Sequence, residues 1–423
     1  MKSRLRLISQ LRDQRGVTVI VVALALPVLV GFTALALDIG HLYVVRNELQ
    51  NAADAGALAG ARFLYNADGD FINVGANLIA SNAATANNSE GVAAEVNWPG
   101  GNAGDVQRGH WSFATRTFTP NPSTVAVDLW DVSTEDLDVD PNFINAIRVV
   151  TRREATPAVS FFARIFGHEN FQVSAEAIAY IGFPGTLTVS EMDQPLAICA
   201  EALLQGDGQY SCSVGRMINS GENVASSETG AWTDFNQDGN PCQGGTNANE
   251  VGDLTCSGGN EGMVVIGSPI ATNGGAIQSA FNQLIECWEN QTGKTEPWPL
   301  TLSVVNCPGN NVGTCQEPSG AVTVNIVWIT GAGEDPSYSN APTQMGEIPD
   351  GQLLDWDESA EADGQIRWNS FVQHFSLQNV DGTPAPYQKK SIYYLPDCSY
   401  HELAGTSGGG NFGILAKRPV LAR

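Results

Sequence analysis

Residues 17–37 read VTVIVVALALPVLVGFTALAL and hold no charged side chain. Their only hydroxyls are Thr18 and Thr33. At 1.5 Å per residue a helix of this length spans about 30 Å, the thickness of a bilayer's hydrocarbon core. Pro27 and Gly31 fall inside the run, and both are tolerated in membrane helices. Lys2, Arg4, Arg6, Arg12 and Arg15 precede it, with Asp13 the one acid among them, and Asp38 follows at once. This asymmetry predicts a single pass through a membrane, with residues 1–15 a cytoplasmic basic tail and everything after residue 38 outside the cytoplasm. A competing reading is a cleaved leader, because Ala34-Leu35-Ala36 has the form of a signal-peptidase site. The apolar run is, however, longer than the ~7–15 residues usual in signal peptides.

The helical pattern continues past the apolar run, over 16–64 in all. Leu42, Val45, Leu49, Ala53, Gly56, Gly60 and Phe63 recur at three- and four-residue steps and form one stripe. Arg46, Asn47, Gln50, Asp54 and Arg62 lie off it. Ala52, Gly56 and Gly60 form a small-residue series that lets another backbone approach closely, and together with Asp38 at the outer end of the apolar run they are the candidate helix-packing residues. The face has two readings: packing on this chain's own sheet, or self-association with a second subunit's helix.

These same residues carry a resemblance. Arg15-Gly16, Leu26-Pro27, Ala36-Leu37-Asp38-Ile39-Gly40, Leu49-Gln50-Asn51-Ala52-Ala53-Asp54-Ala55 and Ala57-Leu58-Ala59-Gly60-Ala61 resemble the amino-terminal signature of the TadE/TadG-like Flp pilus-assembly family of the tight-adherence system. A weaker likeness continues to about residue 182 through Arg108-Gly109-His110-Trp111, Asn145-Ala146-Ile147-Arg148-Val149 and Val173-Ser174-Ala175-Glu176-Ala177. The resemblance implies a bitopic envelope protein that helps assemble or present Flp-type pili, with other pilus-assembly or envelope proteins as partners. Some members are pseudopilins cut after a Gly by a prepilin peptidase whose usual substrate carries Glu five residues later. Gly16 matches the cut position, but Val21 stands where that Glu would be. Gly16 and Ala36 are therefore the two candidate processing positions.

Beyond the helix the pattern mixes helix and strand, which predicts an α+β chain. Residues 65–183 read as a small α+β domain, with a helix near 74–85, strands in 92–98, 106–119 and 144–151, and a short helix opened by Thr156-Pro157 and closed by Gly167. Residues 171–181 alternate strictly, with Phe171, Val173, Ala175, Ala177, Ala179 and Ile181 on one face of a half-buried strand. Gly182-Phe183-Pro184-Gly185 is the predicted boundary, and 184–423 is predicted to be a β-rich, disulfide-stapled domain.

All eight cysteines lie at or after residue 199, and no C-x-x-C occurs. An even count confined to one region reads as a disulfide framework in an oxidising space. The local pairs Cys199–Cys212, Cys242–Cys256 and Cys307–Cys315 are expected, the last closing a hairpin between 302–306 and 322–330. Spacing alone leaves every other connectivity open.

The net charge of −24 argues against a nucleic-acid partner. Asp234-x-Asn236-x-Asp238-Gly239 has the start of a calcium loop, since oxygens at alternate positions converge where Gly turns the chain. The loop's twelfth position is Gly245 rather than Glu, and an Asn/Asp/Gly turn explains the same residues. Gly405-x-Ser407-x-Gly409 fits a nucleophile-elbow string, with His401 nearby, but it sits in a glycine-rich stretch. No other enzyme signature is present. The sequence thus predicts a single-pass inner-membrane protein with a periplasmic or extracellular body, and the resemblance implies that it is a non-enzymatic component of Flp/Tad-type pilus assembly or surface adhesion. The alternative is a secreted, calcium-stabilised binding protein or adhesin with a cleaved leader, followed by an extracytoplasmic hydrolase.

Overall fold

A computed structural model describes residues 15–423 except 131, 204–211, 213, 220–229, 275–276, 308–311, 332–340, 343–363, 380–381 and 423. The basic tail therefore lies outside the described residues up to position 14, as does the middle of the predicted hairpin turn.

One helix, α1, runs unbroken over Arg15–Ala61 with Pro27 inside it. It is about 70 Å long at the standard rise. Its first half is bare: Leu24, Leu29 and Phe32 are 65–70% exposed. Its second half is the spine of a folded domain, with Val45, Leu49, Ala52, Ala53, Ala57 and Ala61 fully buried. The predicted stripe is therefore the core-facing one. Phe63 departs from it, because the helix stops at Ala61 and leaves Phe63 half exposed.

That core is closed by α2, Ala76–Thr85, and by a five-stranded antiparallel sheet. The sheet order is Val420–Leu421, Asn170–Tyr180, Ala146–Val159, Val106–Ser112 and Thr117–Pro120. Alanines dominate the contact: Ala53, Ala57 and Ala61 meet Ala76, Ala80 and Ala84, over Ile147, Val149, Ala177 and Ala179. The alternation read in 171–181 is real, with Ala175, Ala177 and Ala179 buried between exposed Ser174 and Glu176 and half-buried Ile178. Two expectations are corrected. Thr156-Pro157 does not start a helix but lies within the strand Ala146–Val159, in an irregularity of the pairing between Arg153 and Ala158 where a missing N–H costs no ladder bond. The helical turn begins later, at Ala163–Phe166, and Gly167 closes it at φ +89° as expected. Only the short pair Val92–Ala93 and a bridge at Glu95 form in 92–98.

A second, mixed sheet of eight strands is built from residues after 195. Its centre is the antiparallel pair Trp298–Val305 and Pro318–Ile329, which confirms the hairpin strands. Leu196–Cys199 lies parallel to Trp298–Val305, and the other pairings are antiparallel. The helices Gln278–Thr292 and Gly364–His374 supply Phe281, Leu284, Trp288, Trp368 and Phe371 to one core with Trp232, Trp328 and Tyr393. The α+β character holds. The second sheet takes its first strand at Leu196, after the short strand Thr186–Leu187 has paired elsewhere with Val264–Val265, and the chain then crosses back. Val420–Leu421 completes the first sheet beside Tyr180 and Ala179, and Leu415 is buried in the first core. Residues 184–423 are therefore not wholly separate from the amino-terminal domain.

Candidate functional site

Two places on α1 connect the bare span to the folded body. The first is Asp38, buried at the outer end of the apolar run. Its carboxylate accepts the backbone N–H of Phe161 at 2.8 Å, of Phe162 at 3.1 and 3.2 Å, and of Ala163 at 2.6 Å. The Ser160 hydroxyl adds a bond of 3.2 Å and in turn accepts the Arg164 N–H at 3.1 Å. A buried carboxylate is tolerated when donors pair it, because an unpaired buried charge is costly. Asp38 thus acts as a clamp on the loop between two strands, not as a helix-packing residue. One turn on, His41 pairs with Glu90 and lies with its ring 4.8 Å from that of Phe161. Glu90 reaches Arg153, whose Nη1 also donates to the Ser89 carbonyl at 2.6 Å. Thr151 donates its hydroxyl to the Leu49 carbonyl at 2.8 Å. The long strand is thereby bolted along α1.

The second place is the small-residue face. A Cβ on Gly60 would stand 2.7 Å from the Ala80 Cβ and 2.8 Å from Ile147 Cδ1; on Gly56 it would stand 2.9 Å from the Ala80 carbonyl oxygen and the Ala84 Cβ. Ala52 is fully buried. This face is taken up by the chain's own α2 and sheet, so the intramolecular reading of the stripe is the one the fold adopts.

The cysteines form four disulfides, but none is a predicted local pair. The bonds are Cys199–Cys307, Cys212–Cys398, Cys242–Cys315 and Cys256–Cys287. The reason lies in the sheet order. Cys199 pairs in register with Val305 on the adjacent parallel strand, so Cys307 arrives beside it across a separation of 108 residues. Cys315 sits on the edge strand and meets Cys242 instead of closing the hairpin. Cys287 and Cys398, which spacing did not single out, are partners of Cys256 and Cys212.

The remaining sequence candidates sit in local hydrogen-bond networks. Asp234 Oδ1 accepts the Asn236 N–H at 2.9 Å, and Asn236 Oδ1 accepts the Asp238 N–H at 2.8 Å. These bonds build successive turns, helped by Gly239 at φ +68°. Ser407 Oγ accepts the Gly182 N–H at 2.8 Å, and His401 stands against Asp397, Nε2 to Oδ2 at 3.3 Å. Ser407 follows the strand His401–Thr406 and leads into another strand, Ile414–Arg418, where a nucleophile elbow requires a helix. A 470 Å³ cavity beside Gly408 and Gly409 is walled by Phe113, Val139, Phe143, Tyr180 and Phe183. Of the two carboxylates at its edge, Glu135 and Asp138, Asp138 accepts the N–H groups of Phe113 and Ala114 and the Ser112 hydroxyl.

Sequence reasoning missed Glu95. Its carboxylate gathers the N–H groups of Glu154, Ala155 and Thr156 and the Thr156 hydroxyl at 2.6–3.0 Å. Burial alone would raise its pKa, but these donors hold it down to about 2. The irregular strand segment with Pro157 was the available signal: stripped of ladder partners, its N–H groups need an acceptor from elsewhere.

Two family models match consecutive stretches of the chain. Residues 16–62 match the family described as Putative Flp pilus-assembly TadE/G-like, and residues 59–179 match Putative Tad-like Flp pilus-assembly. The first covers the bare span and the small-residue face; the second covers α2 and the sheet up to the strand Asn170–Tyr180. No curated protein and no solved structure matches the chain.

Proposed function

We propose that this chain, whose residues 16–179 are of the TadE/TadG-like Flp pilus-assembly family, is a membrane-anchored, non-enzymatic component of Flp/Tad-type pilus assembly or surface adhesion. The observation that carries the reading is that anchor and domain share one helix. An apolar span long enough to cross a bilayer continues without a break into the buried spine of the first core. A force applied to the body is therefore transmitted to the anchor through a bolted helix rather than a flexible linker. Residues 1–15 lie in the cytoplasm in this reading, and the body lies in the periplasm or beyond, the oxidising side that four disulfides require. Partners are other pilus-assembly or envelope proteins, met by the acidic body; the small-residue face of α1 is already used within the chain.

The second reading, a secreted binding protein or adhesin released by cleavage after Ala36, would leave Asp38 as the second residue of the mature chain. Its clamp would then hang on a free helix end. The mature amino terminus, measured by intact mass in the membrane fraction and in sheared surface material, separates these readings. Met1 retained in membranes supports the anchored component. A start at Val17 in sheared fibres makes it a pseudopilin cut after Gly16, and a start at Leu37 in soluble material replaces the anchored reading with the secreted one.

A further inference from the structure

The loop that Asp38 clamps is apolar where it faces away from the protein. Ile165 is 75% exposed, Phe166 79% and Phe161 52%, and Val159 at the strand's end is 57% exposed. Four bulky apolar side chains close together in sequence at one tip of the domain, beside the end of the membrane span, form a patch that water penalises. Its height is fixed by the clamp: Phe161, Phe162 and Ala163 donate directly to Asp38, the residue that follows the membrane span. α1 itself stays apolar and exposed there, at Ile39, Tyr43 and Val44, to about 9 Å beyond Asp38 at the standard rise. Tyrosine at that level suits the headgroup region. Arg164 and His168 are exposed on the same loop, next to the apolar residues, where a lipid phosphate would meet them.

We propose that the loop 159–168 is a second membrane contact: an interfacial wedge whose Phe161, Ile165 and Phe166 enter the outer boundary of the same bilayer that α1 crosses. Wedges of this kind reach ~5–10 Å into the headgroup and acyl boundary. The bilayer is the occupant because the patch is continuous with the anchor. Two contacts, a helix and a loop tied to its base, fix the tilt of the domain on the membrane, which one helix alone does not. The inference rests on the anchored reading above.

The test uses the full chain carrying one added cysteine labelled with an environment-sensitive fluorophore, reconstituted into phosphatidylethanolamine–phosphatidylglycerol vesicles with or without doxyl-labelled lipid. The labelled positions are Phe166→Cys, Ile165→Cys as its neighbour on the same turn, Val28→Cys within the anchor and Asp68→Cys beyond the helix's far end. All four side chains are exposed, so labelling leaves the fold intact. The expected result is strong doxyl quenching at 28, clear quenching by shallow doxyl groups at 165 and 166, and none at 68. Quenching at 28 with a water-exposed, unquenched label at 165 and 166 overturns the wedge and leaves the anchor standing. A label at 165 and 166 shielded from water yet unquenched also overturns it, in favour of a neighbouring protein on the patch. No quenching at 28 overturns the anchored reading itself, and the wedge with it.

Discussion

Asp38 in α1 accepts the backbone N–H of Ala163 at 2.6 Å from 125 residues further along the chain. This bond and its neighbours join the first turn after the membrane span to the loop of the first sheet. Asp38→Ala removes an acceptor from three N–H groups and the Ser160 hydroxyl at once. The expected outcome is faster amide exchange at Phe161, Phe162 and Ala163, with the rest of the sheet little changed. Asp38→Asn, which keeps the shape and one acceptor oxygen, should fall between. Unaltered exchange in the Ala variant would show that the clamp does not order the loop.

Gly56 and Gly60 are required by contact, not by backbone conformation. Gly60→Leu or Gly56→Leu must push α1 away from α2 and Ile147, and overpacking of this kind costs about 1–3 kcal/mol or more. Thermal unfolding of the full chain in detergent measures it. Gly40→Ala is the control, since nothing lies within 4 Å of a Cβ there; it should be neutral or stabilising by ~0.5–1 kcal/mol. Equal effects at positions 40 and 60 would refute the close-approach account.

The disulfide pattern is directly checkable by non-reducing peptide mapping. Peptides joining Cys199 to Cys307 and Cys256 to Cys287 are expected, and a Cys199–Cys212 or Cys307–Cys315 peptide would contradict the strand order. Replacing Cys256 and Cys287 together by Ser should cost about 2–5 kcal/mol, read as a drop in the unfolding midpoint.

Acid should weaken the fold through carboxylates whose donors hold their pKa down, Glu95 and Asp397 among them. For Asp397, burial alone would raise the pKa, but His401 and Ser399 hold it down to about 2, as the donors around Glu95 do there. Both values lie below the ~4 of an unfolded carboxyl, so the unfolded chain binds the proton first. Their contribution is complete above about pH 5 and is lost as pH falls towards 2. Melting temperature should therefore decline over that interval, and Glu95→Gln should flatten the decline. A slope identical to that of the parent would remove Glu95 from the explanation.

The Asp234–Gly239 loop spends side-chain oxygens of Asp234 and Asn236 on its own turns. Calcium added to chelator-treated protein is expected to leave the melting temperature unchanged. A concentration-dependent rise, as linkage demands of any ligand that binds only the folded state, would instead make Asp234, Asn236 and Asp238 ligands.

Most of what neighbours in the chain govern was readable from the sequence: the uncharged span, the core stripe of α1 from Val45 to Gly60, the alternation over 171–181, the strands around 302–306 and 322–330, and the family likeness; Thr156-Pro157, which pairing with a distant strand holds extended, was not. Helical and strand periods are local properties, and the apolar side chains that set them are adjacent in sequence. The tertiary structure decided what depends on which distant segments meet. Cys199 found Cys307 because their strands lie side by side, Asp38 found Ser160–Ala163 because the sheet folds back along the helix, and Leu421 returned to Ala179 because that sheet edge was open. None of these meetings leaves a mark in spacing. Each is made by a few directional bonds between segments whose proximity the cores, formed by many non-directional apolar contacts, had already fixed.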